Sequence, residues 1–190
     1  SGTTRGDVRG RHYHPNLQVY DLSMQRNFQR HIMGQAQHMR IMVFFPNEDL
    51  MPHSSLAHYL ALARATFGTP NSQHYIDAQG LQLQAAIQDL QHACANQEPV
   101  LLMGASYSLV HLMDDLQAQG LKFDLPSGSR IMDTGGFKGQ SREMNSVLTI
   151  LTEDQGHTQE DGFVLLGRAQ GAQAKGCSVA VDQFLQAARA

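Results

Sequence analysis

The sequence predicts an α/β fold built on a largely parallel sheet, and three observations carry that prediction. Short, unbroken apolar runs recur along the chain, as strands buried on both faces require. Between them, apolar residues return every three or four positions, the period of a helix with one buried face. The third run leads directly into the glycine-rich stretch Thr134-Gly135-Gly136-Phe137-Lys138-Gly139, and α/β sheets meet their ligands at such strand ends.

Taken in order, Leu17, Tyr20, Met24, Phe28 and Ile32 fall on one helical face. Arg40 to Phe45 (RIMVFF) reads as a buried strand closed by Pro46-Asn47. A second helix carries Leu56, Tyr59, Leu60, Ala63 and Phe67, capped by Ser54 or Ser55 and stopped by Gly68-Thr69-Pro70. A third stripe runs through Leu83, Ile87, Leu90 and Cys94, ahead of a strand from Val100 to Met103. A fourth passes through Leu109, Leu112, Met113 and Leu116 to a stop at Gly120, and Ile131 to Thr134 forms the next strand. QSREM reads as helical. Beyond Asn145 the pattern changes: VLTILTED and GFVLLGR read as two strands around a turn holding Gly156 and Asp161-Gly162. A terminal helix with Val181, Phe184, Leu185 and Ala188 on one face follows. The expected division is an α/β core over 1–144 and a small β-rich part with a terminal helix over 145–190.

Composition bounds the function classes. With 190 residues, 42% hydrophobic, the chain can bury a core of its own. A net charge of −3 provides no basic field for nucleic acid or anionic lipid. Cys94 and Cys177 form no CxxC pair, which argues against a structural zinc site or disulfide framework and fits a cytoplasmic location. No apolar run reaches membrane-spanning length, and the first residues do not read as a signal peptide. His12, His14, His53 and His58 lack a completing carboxylate motif such as HExxH, so they are expected at the surface or at helix caps, and no metal ligands are assigned.

Four segments carry residue types with chemical potential. Ser1-Gly2-Thr3-Thr4 offers hydroxyls on a flexible backbone that can wrap phosphate oxygens, although GxxxxGK[ST] is absent. Gly135 and Gly136 let backbone lie flat against a ligand, Phe137 offers an apolar wall to a purine, and Lys138 can meet a phosphate or carboxylate. Asp154, in Thr152-Glu153-Asp154 at a strand end, can accept both hydroxyls of a ribose, or can simply form a turn. In Lys175-Gly176-Cys177-Ser178, Lys175 would favour a Cys177 thiolate able to accept an acyl group. Spacing alone leaves Cys177 equally open to a buried, structural role. Cys94, on an apolar helical stripe, is expected in the core.

Read together, SGTT, HY…LQVYDLSM, VFFPNEDLMPHSSLAHYLALAR, EPVLLMGASYSLVHLMDDL, SRIMDTGGFKGQSREM, NSVLTILTEDQG and GFVLLGRAQGAQAKGCSVAVDQFL resemble the LuxE-type acyl-protein synthetase family. This is the fatty-acid-activating ligase of bacterial luminescence, a branch of the adenylate-forming, acyl-CoA synthetase-like superfamily. The resemblance covers nearly the whole chain; TGGFKGQSRE and KGCS are its most specific parts. It implies an incomplete adenylate-forming N-terminal-domain fold, ATP and Mg2+ as cofactors, and a carboxylic acid of the fatty-acid class as substrate. The acid would attack the α-phosphate of ATP to give acyl-AMP and pyrophosphate, and a thiol would then take the acyl group as a thioester. By the same resemblance, Ser1 to Thr4 form a phosphate loop, Gly135, Gly136 and Phe137 face adenine, Asp154 anchors the ribose, and Arg168 is a hinge-region arginine near the nucleotide. Cys177 would carry the acyl group before its transfer to a reductase partner. Two alternatives stand beside this. Coenzyme A or a carrier protein could be the acceptor, with Cys177 structural, or the chain could be a non-catalytic nucleotide- or acyl-binding protein.

The sequence departs from the family in three places. Arg5 follows SGTT where a glycine is usual. Family members carry an N-terminal region ahead of the phosphate loop, so a strand is expected before Ser1. Between Met144 and Asn145 a long segment with a Tyr-Gly-Met-Thr-Glu-like motif, whose glutamate binds magnesium, is expected and not found. The sequence is therefore expected to be the remainder of a longer chain; continuous as printed, it would not catalyse adenylation.

Overall fold

The computed structural model describes residues 15–134 and the strands Arg142–Met144, Asp154–Gln159 and Gly162–Arg168. Within 15–134 lie α1 (Gln18–Phe28), β1 (Arg40–Pro46), α2 (Ser55–Phe67), β2 (Gln73–Asp77), β3 (Gly80–Leu81), α3 (Leu83–Ala95), β4 (Val100–Gly104), α4 (Ser106–Ala118) and β5 (Arg130–Asp133). They form a five-stranded sheet in the order β3-β2-β1-β4-β5. β1, β2, β4 and β5 run parallel, and only the two-residue β3 is antiparallel.

β1 sits in the middle because every one of its residues is buried. Its alternate side chains point to opposite faces. Ile41, Val43 and Phe45 join Met24 and Phe28 of α1 and Ala57, Leu60, Ala63 and Phe67 of α2 in one core. Met42 and Phe44 join Tyr75 of β2, Ala86, Leu90 and Ala93 of α3, and Leu109 and Leu112 of α4 in the other. The sheet therefore lies between α1 and α2 on one side and α3 and α4 on the other. This is the predicted α/β class, with helices covering both faces.

Local sequence explains the element ends. The Ser54 side chain accepts a hydrogen bond from the Ala57 amide at 3.1 Å, the capping role open to Ser54 or Ser55 in the sequence. α1 runs on into a π-helical turn, Gln29–Met33, and ends at Gly34, whose φ of 57° suits glycine. The Gln29 amide group there donates to the Gly34 and Ala36 carbonyls at 2.9 and 3.0 Å.

The amino end of the sheet is pinned by charge. Arg40, 4% exposed, is ion-paired with Asp89 of α3 and reaches Glu98 at 3.4 Å. Asp89 also accepts from the Tyr75 hydroxyl at 2.5 Å and from Gln73 at 2.8 Å. Burial alone would raise the Asp89 pKa; the bonds from Tyr75 and Gln73, with the Arg40 charge, outweigh it and hold the carboxyl below its usual range.

Several expectations are corrected. β2 and β3 had no counterpart in the sequence reading, because QHYID has no apolar run although Tyr75 and Ile76 are both buried. The inward positions of α3 include Ala93; Cys94 is only half-buried, with its thiol 3.5 Å from the Asp124 carbonyl. In α4 the helical phase buries Val110 and leaves Met113 37% exposed. Leu17 precedes α1 as its N-cap and is 41% exposed.

A second sheet has the order β6-β8-β7, where β6 is Arg142–Met144, β7 Asp154–Gln159 and β8 Gly162–Arg168. All of its pairs are antiparallel. Arg142–Met144 is thus a strand, where QSREM was expected to be helical: its backbone groups pair with β8, a long-range interaction that local periodicity does not encode. Gly156 lies inside β7 at a register shift, a common place for glycine, and is not part of the turn. Asp154 correspondingly belongs to a strand that continues to Gln159 and does not close one. The proposed terminal helix lies outside the described residues.

We expect Asp89→Asn to lower stability at neutral pH by roughly 2–3 kcal/mol, below the range for fully buried pairs because Asp89 is 22% exposed. A depressed carboxylate pKa stabilises the fold above its unfolded value, and the contribution is lost as pH falls through the folded value. The gap between wild type and variant should therefore close below about pH 4, as read from urea unfolding at a series of pH values.

Candidate functional site at the carboxyl edge

Two successive crossovers run in opposite directions, to either side of β1. The chain goes from β1 through α2 to β2 on one side, then through α3 to β4 on the other. In open α/β sheets the crevice at the carboxyl ends of the strands, where this reversal occurs, is the place for a ligand. Here those ends are Phe45-Pro46 of β1, Gly104 of β4 and Asp133 of β5.

The edge is tightly built. Phe44, Gly104 and Asp133 stand in register across β1, β4 and β5. A Cβ on Gly104 would come within 2.6 Å of the Phe44 carbonyl oxygen, so no other residue fits without spreading the strands. The Gly104 carbonyl accepts from both the amide and the hydroxyl of Thr134, at 3.0 and 3.1 Å. The buried Ser106 hydroxyl, on the first residue of α4, lies 2.7 and 2.6 Å from the two Asp133 oxygens and donates to that carboxylate. The carboxylate therefore sits at the amino end of a 13-residue helix, where the helix dipole favours negative charge.

Beside this clamp lies an open cleft of about 310 Å³, lined by Tyr20, Ser55, Leu56, Tyr59, Met132, Asp133 and Thr134. Tyr20 comes from α1, while Ser55, Leu56 and Tyr59 come from the first turns of α2. The lining mixes apolar and aromatic surface from Tyr20, Leu56, Tyr59 and Met132 with the Ser55 and Thr134 hydroxyls and the Asp133 carboxylate, a combination suited to orienting a ligand with an apolar body and a polar end.

Of the residues assigned from sequence, Asp154 and Arg168 fall on described strands, where they stand opposite each other as register partners in β7 and β8. Ser1, Gly2, Thr3, Thr4, Gly135, Gly136, Phe137, Lys138, Lys175 and Cys177 lie outside the described residues. Thr134, the last described residue before Gly135, is the one that opens TGGFKG.

Sequence reasoning did not select Ser106, Asp133, Tyr20, Ser55 or Tyr59. A local signal existed for the first two: MGAS places small residues directly after a buried strand, and Asp133 immediately precedes the glycine stretch. Nothing local marks Tyr20 and Tyr59, which meet at the cleft only through helix packing. His58, expected at the surface or as a cap, instead bridges Asp21 and Glu48 at 2.8 and 2.7 Å.

Replacing Ser106 with alanine removes the hydroxyl donor from Asp133. A hydrogen bond to a charged group contributes about 1.5–3 kcal/mol, and the lower part of that range applies because Asp133 keeps access to water. Gly104→Ala should cost about 1–3 kcal/mol by forcing β1 and β4 apart. Both losses should appear as lower urea midpoints with unchanged slopes.

No family model, curated protein or solved structure matches this chain.

Proposed function

We propose that the chain is part of an ATP-dependent ligase that activates a carboxylic acid, of the fatty-acid class, as an acyl-adenylate and passes the acyl group to a thiol. The observation that carries this reading is the cleft at the carboxyl edge of the doubly wound sheet, bounded by Asp133 and Thr134 where β5 enters TGGFKG. That is where a sheet of this topology takes a nucleotide. It is also where the sequence resemblance places the adenine-facing glycines.

The chemistry of the lining residues fits such a ligand. Ser55 offers a hydroxyl donor, the Thr134 oxygen, whose proton goes to Gly104, keeps acceptor capacity, and α2 presents its amino end towards the cleft, which favours phosphate oxygens. Tyr20, Tyr59, Leu56 and Met132 provide apolar surface for a base or an acyl chain. Asp133 is the single carboxylate among the described lining residues, and so the group there that could meet the magnesium of Mg-ATP. ATP supplies the leaving group: attack by the acid on the α-phosphate releases pyrophosphate and leaves an acyl-phosphate anhydride. The protein's part is to hold the two reactants in line and exclude water. The anhydride then gives its acyl group to a thiol, of which Cys177 is the candidate within the chain, and AMP departs.

Acid-dependent exchange of labelled pyrophosphate into ATP tests the first step. With the full-length protein, we expect exchange with at least one member of a fatty-acid series and its loss in Asp133→Asn. Absence of exchange with every acid would contradict the adenylation reading. Intact-mass analysis after incubation with ATP and the active acid tests the second step: an acyl adduct on Cys177 supports self-acylation, and its absence assigns the acceptor to another molecule.

A further inference from the structure

We propose that His58 is a proton-operated latch that holds the first turns of α1, and with them the Tyr20 wall of the cleft, against α2. The ring nitrogens meet two carboxylates from different parts of the chain. Nε2 lies 2.8 Å from Asp21 Oδ1 of α1, and Nδ1 lies 2.7 Å from Glu48 Oε1 in the connection between β1 and α2. Only the protonated ring donates from both nitrogens; a neutral ring would turn a lone pair towards one of the carboxylates. Protonation therefore makes both bonds, and the neutral ring, with one proton divided between its two tautomers, weakens the hold on both Asp21 and Glu48.

The titratable groups facing the ring are Asp21 and Tyr20 of α1, the latter with ring centroids 5.8 Å apart, and Glu48 of the connection. The hydrogen bond with Asp21, joined by that with Glu48, outweighs partial burial and keeps the His58 pKa above the ordinary histidine value. A raised folded pKa means that the stabilisation is fully present below about pH 6.5 and is lost as pH rises through the folded value. At 25% exposure the side chain can exchange protons with solvent.

What the latch holds is the loosely seated end of α1. Leu17, Val19 and Leu22 are 41%, 79% and 49% exposed, whereas the buried anchors Met24 and Phe28 belong to the second half. Phe28 stacks on Phe67 with centroids 5.2 Å apart, and Gln25 donates to Thr66 at 3.2 Å. Weakening the Asp21 bond thus loosens the end that carries Tyr20, with Met24 to Phe28 as the fixed point. Tyr20 shares the cleft with Ser55, Leu56 and Tyr59, the α2 residues on either side of His58 in sequence. The protonated latch closes that wall, and the neutral one loosens it. This inference is independent of the ligase reading, because it concerns the shape of the cleft and not the reaction.

Amide hydrogen exchange across α1, from about pH 5.5 to about pH 9 and corrected for intrinsic rates, tests it. In the wild type, protection of residues 18–23 should fall several-fold through the His58 titration, while residues 25–28 stay protected as an internal control. His58→Gln should show the released level at every pH, and Asp21→Asn should lower the His58 pKa measured by NMR. Protection of 18–23 that is flat with pH, wild-type protection in His58→Gln at low pH, or an ordinary His58 pKa would each overturn the proposal.

Discussion

A strand that is apolar on both faces can leave neither face in water, and β1 imposes that demand on the whole domain. Its seven residues are all buried, with Ile41, Val43 and Phe45 turned to one core and Met42 and Phe44 to the other. Fully burying side chains of this size is worth about 1.5–3 kcal/mol each, which no arrangement covering a single face could collect. Helices must therefore lie on both sides, and the connections must pass over the sheet in both directions. The reversal of winding at β1 follows from that requirement, and the reversal creates the crevice.

The two ends of the sheet are held by different means, and the difference bears on where chemistry can occur. At the amino end, Arg40 is buried against Asp89, Tyr75 and Glu98, so its charge serves to lock α3 onto the sheet. At the carboxyl edge, hydrogen bonds join Gly104 to Thr134 and Ser106 to Asp133 while leaving an open cleft beside them. A rigid frame next to accessible polar groups is the arrangement that positions a reactant without reorganisation. The first turns of α1 form the less rigid wall of that cleft, which is why a titrating side chain can act on it.

Much of the five-stranded sheet was legible because its strands and helices carry strong periodic signals. RIMVFF and VLLMG could only be buried strands, and Ser54 and Gly68 bound α2 as capping chemistry requires. β2 escaped because its burial comes from neighbours and not from an apolar run: Tyr75 enters the core with its hydroxyl tied to Asp89. Arg142–Met144 was misread because strand pairing with β8 overrides its local helical character. The candidate site divided in the same way. The glycine stretch and Asp154 stood out as motifs. The Asp133–Ser106 contact and the His58 bridge depend on pairs separated by 27, 37 and 10 residues, and no spacing rule reveals those.

If the carboxyl edge receives the ligand, titrating the protein with Mg-ATP while following its amide NMR signals will reveal it. Saturable shifts are expected at Ser55 to Tyr59, Gly104 to Ser106 and Met132 to Thr134, with the amino end around Arg40 and Asp89 unmoved. Shifts centred on that amino end, or none at all at saturating nucleotide, would contradict it.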